Sequence, residues 1–228
     1  MSLPFDLHQV LIMLVPLLFA VTVHEAAHGY AALKMGDDTA LRAGRLTLNP
    51  IKHLDPIGSV LLPVLLKVTG SPILFGYARP VPVVSANFRD QTRGTLLVSS
   101  AGVAANFLLA AVSGLVFHGL AMIAPALYGT WAMAPVRDGL LLCGYSVVIN
   151  TVLAIFNLIP VPPLDGSRLL AVALPRRLRV PYERMERFGM LAVIALLLTG
   201  AIDQVFRFVI SPLVRLILST DGVAFLFG

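Results

Sequence analysis

Apolar residues along this chain run in long blocks, separated by short stretches that hold most of the charge. The first block covers residues 7–33 and reads as one long helix; Pro16 inside it is tolerable in a membrane helix. A polar loop, 34–56, follows with Lys34, Arg42, Arg45 and Lys52. A short apolar stretch at 57–66 leads into a Gly- and Pro-rich region, 70–90. Two further long blocks occupy about 95–123 and 140–159. Pro160, Pro162 and Pro163 break the chain before Asp165 and Gly166. After a basic loop with Arg176, Arg177 and Arg179, a last apolar region runs from about 188 to 218, with Pro212 as its expected break. The pattern predicts an all-α polytopic membrane protein with about four transmembrane helices, a re-entrant hairpin near 57–76 and a short extended β element at 78–84.

Composition supports this class. Of 228 residues, 57% are hydrophobic and 13% charged, against roughly 25% charged in a soluble domain. No Asp, Glu, Lys or Arg lies between Arg93 and Arg137, or between Asp138 and Asp165. Each gap exceeds the roughly 20 apolar residues that cross a hydrocarbon core. The net charge of +5 does not point to nucleic acid, because the basic residues flank the apolar blocks, as the positive-inside bias requires. Placing the basic loops 34–56, 79–93 and 168–187 on the cytoplasmic side works only if 57–76 crosses an even number of times, hence the re-entrant hairpin. One membrane-embedded domain over 1–228 is expected, with no cleavable signal peptide and no soluble domain.

The candidate chemistry lies inside the first block, in His24-Glu25-Ala26-Ala27-His28. Positions i and i+4 share a helix face, so His24 and His28 can direct two imidazoles at one metal ion. Glu25 is rotated by about 100° from His24 and is better placed to take a proton from a metal-activated water than to ligate. The single Cys143 rules out an internal disulfide and a thiolate cluster, so the remaining ligands must be His or carboxylate. Two His and a Glu are costly in an apolar helix unless they bind something or line a cavity. A catalytic site needs a third protein ligand. Asp165, Asp55, Glu183 and Glu186 are the candidates, and Asp165 reads equally well as a helix cap. Glu183 and Glu186 sit in an Arg-rich amphipathic stretch that favours surface ion pairs.

The His-Glu-x-x-His helix together with Leu164-Asp165-Gly166 resembles the site-2 protease family of intramembrane zinc metalloproteases. The resemblance extends through Gly44–Pro56, Gly76–Val83 and Ser100–Asn106 to the short bacterial branch without PDZ or CBS domains, although Val103 stands where a Pro is common. It implies one Zn2+ per chain held by His24, His28 and Asp165, Glu25 as general base, and Asn157 helping to stabilise the oxyanion. It further implies a multi-pass protein of the bacterial cell membrane, its active site toward the cytoplasm, with transmembrane segments of other proteins as substrates. A metal carrier using the same ligands would have no need of Glu25 beside them. A membrane-anchored protease with Glu183 as ligand and an inactive scaffold are the other readings.

Three secondary features complete the reading. Gly102, Asn106, Ala110, Gly114 and His118 recur every four residues, a small and polar ridge for helix packing. His53 and Asp55, between Pro50 and Pro56, read as a turn or as support for a ligand. Pro80 and Pro82 leave one edge of an extended 78–84 segment without two donors, and the other edge is a candidate clamp for an unwound substrate.

Overall fold

A computed structural model describes residues 7–61 and 78–227. Among the described residues the secondary structure is helical, with no strand. The long helices are α1 (Leu7–Met35), α2 (Gln91–Ile123) and α3 (Met133–Leu158). Four shorter ones follow: α4 (Asp165–Ala173), α5 (Arg176–Arg184), α6 (Gly189–Leu198) and α7 (Ala201–Val205). The last is α8 (Ser211–Phe227).

Among the described residues, four segments are long and apolar enough to cross a membrane: Leu11–Met35, Gln91–Leu127, Met133–Leu158 and Ala201–Phe227. The first three match the sequence reading. The fourth lies further along than hydropathy suggested, because the break in the last apolar region falls at Gly200 rather than Pro212. Gly200 adopts a left-handed backbone (φ 71°), open to glycine without a Cβ penalty, and ends the run that began with α6. Pro212 is only the second residue of α8 and follows a π-helical turn, Phe206–Ile210, where the regular hydrogen-bond ladder is already interrupted.

Most of the region of the expected re-entrant hairpin, residues 62–77, lies outside the described residues; before it, Pro56–Leu61 forms one π-helical turn. The expected β element at 78–84 carries no regular secondary structure. Its amides at positions 79 and 81 go to other acceptors: Arg79 N–H to the His53 carbonyl (2.9 Å) and Val81 N–H to Glu25 Oε2 (2.7 Å). The edge left free of proline is thereby spent within the protein at those two positions.

The chain divides into two compact units, one of residues 1–20 and 103–228, the other of 21–102. The larger unit packs Phe117, Leu140, Val147, Ile210, Val214 and Leu218 into one buried cluster drawn from α2, α3 and the last span. Polar groups buried among these helices satisfy one another: Asn106 Nδ2 donates to Asn150 Oδ1 (2.7 Å), and Asn150 Nδ2 to the Ser146 carbonyl (2.9 Å). Asn106 also donates to the Ala20 carbonyl (3.3 Å), so it ties α1 to α2 and α3 in the manner of interhelical polar contacts in membranes. His118 bonds the Ile217 carbonyl (2.8 Å) and links α2 to α8.

The smaller unit is built on the second half of α1. Ala32, Phe88 and Val98 form its buried cluster. Gly29 lets the following segments come close: a Cβ there would lie 2.8 Å from Leu46 Cδ1 and 3.2 Å from Val81 Cγ1. Just beyond α1, fully buried Asp37 accepts from the Thr39 hydroxyl and amide, the Val84 amide (2.7 Å) and Asn87 Nδ2 (2.9 Å).

Candidate metal centre

Within the smaller unit, α1 carries His24 and His28 one turn apart, and their Nε2 atoms stand 3.0 Å from each other. Two ligand nitrogens on one tetrahedral zinc, each at 2.0–2.1 Å, would be about 3.3 Å apart. The pair is therefore close to ligand geometry before any ion is added. His28 Nδ1 is 2.7 Å from the Val98 carbonyl, which only accepts, so Nδ1 carries the proton and Nε2 keeps its lone pair. His24 is buried and its ring meets that of His28 edge-on, with centroids 4.6 Å apart.

Gly102 of α2 faces both rings. A Cβ at this position would lie 2.6 Å from His24 Cε1, 2.6 Å from His28 Nε2 and 2.7 Å from His24 Nε2. The helix backbone thus approaches the imidazoles as closely as it does because the side chain is absent. Sequence reasoning placed Gly102 in a packing ridge; its role against the histidines was not visible there, since the two are far apart along the chain. The donor set, the tautomer and the glycine cradle all fit a zinc ion.

Glu25 is half-buried, and its Oε2 accepts the Val81 amide. Arg45 is buried nearby; its Nη2 donates to the Arg79 carbonyl (2.7 Å) and, more weakly, toward that of Pro80 (3.4 Å). Burial and the charge of Arg79 pull Arg45 below its ordinary pKa, and the Glu25 carboxylate pulls it back up. The remaining sequence candidates in this unit serve as turn builders. His53 is buried and bonds the Thr47 carbonyl (2.9 Å), while Asp55 Oδ1 accepts from the amides of Ile57 and Gly58.

These elements match a known group of enzymes. The sequence profile of Peptidase family M50 fits residues 73–200. YwhC of Bacillus subtilis (strain 168), named as a zinc metalloprotease, is 38% identical over 188 residues, which is 82% of this chain and 80% of that protein. Rip2 of Mycolicibacterium smegmatis, named likewise, is 33% identical over 83% of this chain and 67% of its own length. The chain belongs to peptidase family M50. It is a zinc metalloprotease and a multi-pass membrane protein of the site-2 protease kind. No solved structure matches it.

In the larger unit, the end of α3 and the start of α4 carry two more of the candidate residues named from the sequence. Asp165 is the first residue of α4, one past the cap position at Leu164, and is half-buried. Gly166 is buried at this turn because a Cβ there would strike the Leu158 carbonyl. Pro162-Pro163 is a cis peptide, and the loop is pinned by Tyr182 O–H donating to the Pro160 carbonyl (2.9 Å). Asn157, near the end of α3, donates one Nδ2 hydrogen to the Leu153 carbonyl (3.0 Å), leaving the other hydrogen of its amide. The rival ligands make the expected surface pairs: Glu183 with Arg179 (2.7 Å) and Glu186 with Arg168 (4.0 Å).

Proposed function

We propose that this protease cuts peptide bonds in transmembrane segments of other membrane proteins, at a single zinc held by His24, His28 and Asp165. The observation that carries the reading is the depth of the histidine pair. His24 and His28 precede Met35, the end of the first candidate span, by eleven and seven residues. At 1.5 Å per residue the pair lies about 10–16 Å inside the span. A centre at that depth is suited to a chain already in the bilayer. Asp165 is favoured as third ligand by its carboxylate chemistry, by the glycine-enforced turn that presents it and by its family motif. Glu183 and Glu186 are engaged with arginines.

When bound, zinc would polarise the scissile carbonyl and acidify a water. Glu25 takes the proton of that water on the oxygen not held by Val81 and returns it to the leaving amine. The Val81 amide fixes the direction of the carboxylate, so little of its freedom is lost during the reaction. Asn157, with one amide hydrogen on the Leu153 carbonyl, would offer the other to the oxyanion. Lys34 in the last turn of α1, and Arg42, Arg45 and Lys52 beyond it, favour a cytoplasmic face for this end, in a bacterial inner membrane.

The test is zinc content and cleavage of a single-span substrate in liposomes for wild type, Glu25→Gln and Asp165→Ala. Glu25→Gln should keep zinc and lose cleavage by at least about 10²-fold, as loss of a general base does. Asp165→Ala should lose both. Cleavage by Glu25→Gln, or full zinc in Asp165→Ala, overturns the assignment of that residue; a soluble peptide cut as fast as the single-span substrate overturns the intramembrane reading.

A further inference from the structure

We infer that Arg45 is a positioning residue for Glu25, acting through the backbone of residues 79–81; the inference rests on the general-base reading of Glu25. Arg45 is more than nine-tenths buried, and its Nε has no hydrogen-bond partner. Burying a guanidinium is costly unless its donors are hydrogen-bonded, so the bonds this one does make matter. What it holds is the extended segment after residue 77. Its Nη2 donates to the Arg79 carbonyl at 2.7 Å, and the Arg79 amide donates in turn to the His53 carbonyl at 2.9 Å. Residue 79 is thus gripped on both its backbone groups.

Two residues on, the same segment delivers the Val81 amide to Glu25 Oε2 at 2.7 Å. Pro80 and Pro82 bracket that residue and restrict the backbone between the two contacts, so the grip at 79 is passed to 81. The Val81 side chain is buried against Gly29 of α1, which fixes the register of the segment along the helix. The loop that carries Arg45 is itself anchored: the Arg45 amide donates to the Ala40 carbonyl at 3.0 Å, and buried His53 closes back on Thr47. Arg45, His53 and residues 79–81 form a strap over α1 whose free end is the amide that aims the base.

A positioning role has a different signature from a general structural one. Arg45→Met should keep wild-type zinc content and a KM within twofold, while kcat falls at least tenfold. Hydrogen exchange at the Val81 amide should quicken at least tenfold in the same protein. Arg45→Lys, which keeps the charge and a donor, should recover part of both losses and also serves if Arg45→Met does not fold. Glu25→Ala should quicken Val81 exchange by a comparable factor with Arg45 intact, which tests the coupling without reference to cleavage. Unchanged kcat and unchanged Val81 exchange in Arg45→Met overturn the inference, as does loss of zinc in parallel with kcat. If Glu25→Gln still cleaves, the general-base reading fails, and the exchange results still decide whether Arg45 holds the strap.

Discussion

Gly102→Ala is the substitution that most directly probes the metal centre, because the only atom it adds lands between the two histidine rings. The new Cβ would sit 2.6–2.7 Å from three ring atoms of His24 and His28. Comfortable contact for carbon is about 3.5–4.0 Å, so the rings or the α2 backbone must yield by about 1 Å. Neither yields easily. His28 is tied to the Val98 carbonyl by a 2.7 Å bond, and His24 is buried in the α1 interface. Ligand distances in zinc sites hold to within about 0.2 Å, several times less than the displacement required. The expected loss of zinc affinity is at least about 100-fold, the upper end for disturbing a ligand's support, or about 2.7 kcal/mol. The assay is competition for zinc against chelators of graded strength, with thermal unfolding measured alongside. Gly119→Ala is the matched control, since on the same helix a Cβ there meets nothing within 4 Å and should leave zinc binding unchanged. Wild-type zinc affinity in Gly102→Ala would refute the claim that this glycine exists to admit the imidazoles.

Two further outcomes are expected. Burial raises the pKa of the Asp37 carboxyl, but bonds from the Thr39 hydroxyl, Asn87, Val84 and the Thr39 amide outweigh it and leave the pKa below its usual value. A depressed folded-state pKa contributes stability above the unfolded value of about 3.9, and that stability is lost as pH falls through the folded value. Segment 84–88 should therefore loosen in acid, seen as faster hydrogen exchange there, and Asp37→Ala should cost about 1–3 kcal/mol at neutral pH and flatten the acid response. Trp131, the only tryptophan, is 89% exposed beside Tyr128 in the turn between two apolar spans. Its fluorescence should be quenched by lipids brominated near the headgroup more than by lipids brominated at the chain end, as for an interfacial aromatic; the reverse order would place this turn elsewhere.

The legibility of the site in the sequence was uneven, and the pattern has a physical basis. His24, Glu25 and His28 were readable because helical periodicity alone puts i and i+4 on one face. The turn at 160–166 was readable because proline and glycine impose backbone conformation locally. Asn106 was readable as part of a packing ridge, and the structure shows it bonded to Asn150 and Ala20. The extended segment at 78–84 was read from its prolines as a strand edge. Its amides instead bond His53, Glu25 and Asp37, partners 26 to 56 residues away that no local rule identifies.

By itself the sequence determined what depends on each residue and its near neighbours. That includes three of the four spans, the clustering of charge at their ends, the spacing of two imidazoles and the chemistry of the only available ligand types. Tertiary structure decided what depends on close approach. It brought Gly102 against the rings, sent the Val81 amide to Glu25, buried Arg45 over a backbone carbonyl and moved the break in the last apolar region to Gly200. Hydropathy and periodicity are summed along the chain, whereas a 2.7 Å hydrogen bond between distant residues exists only once the chain has folded back on itself.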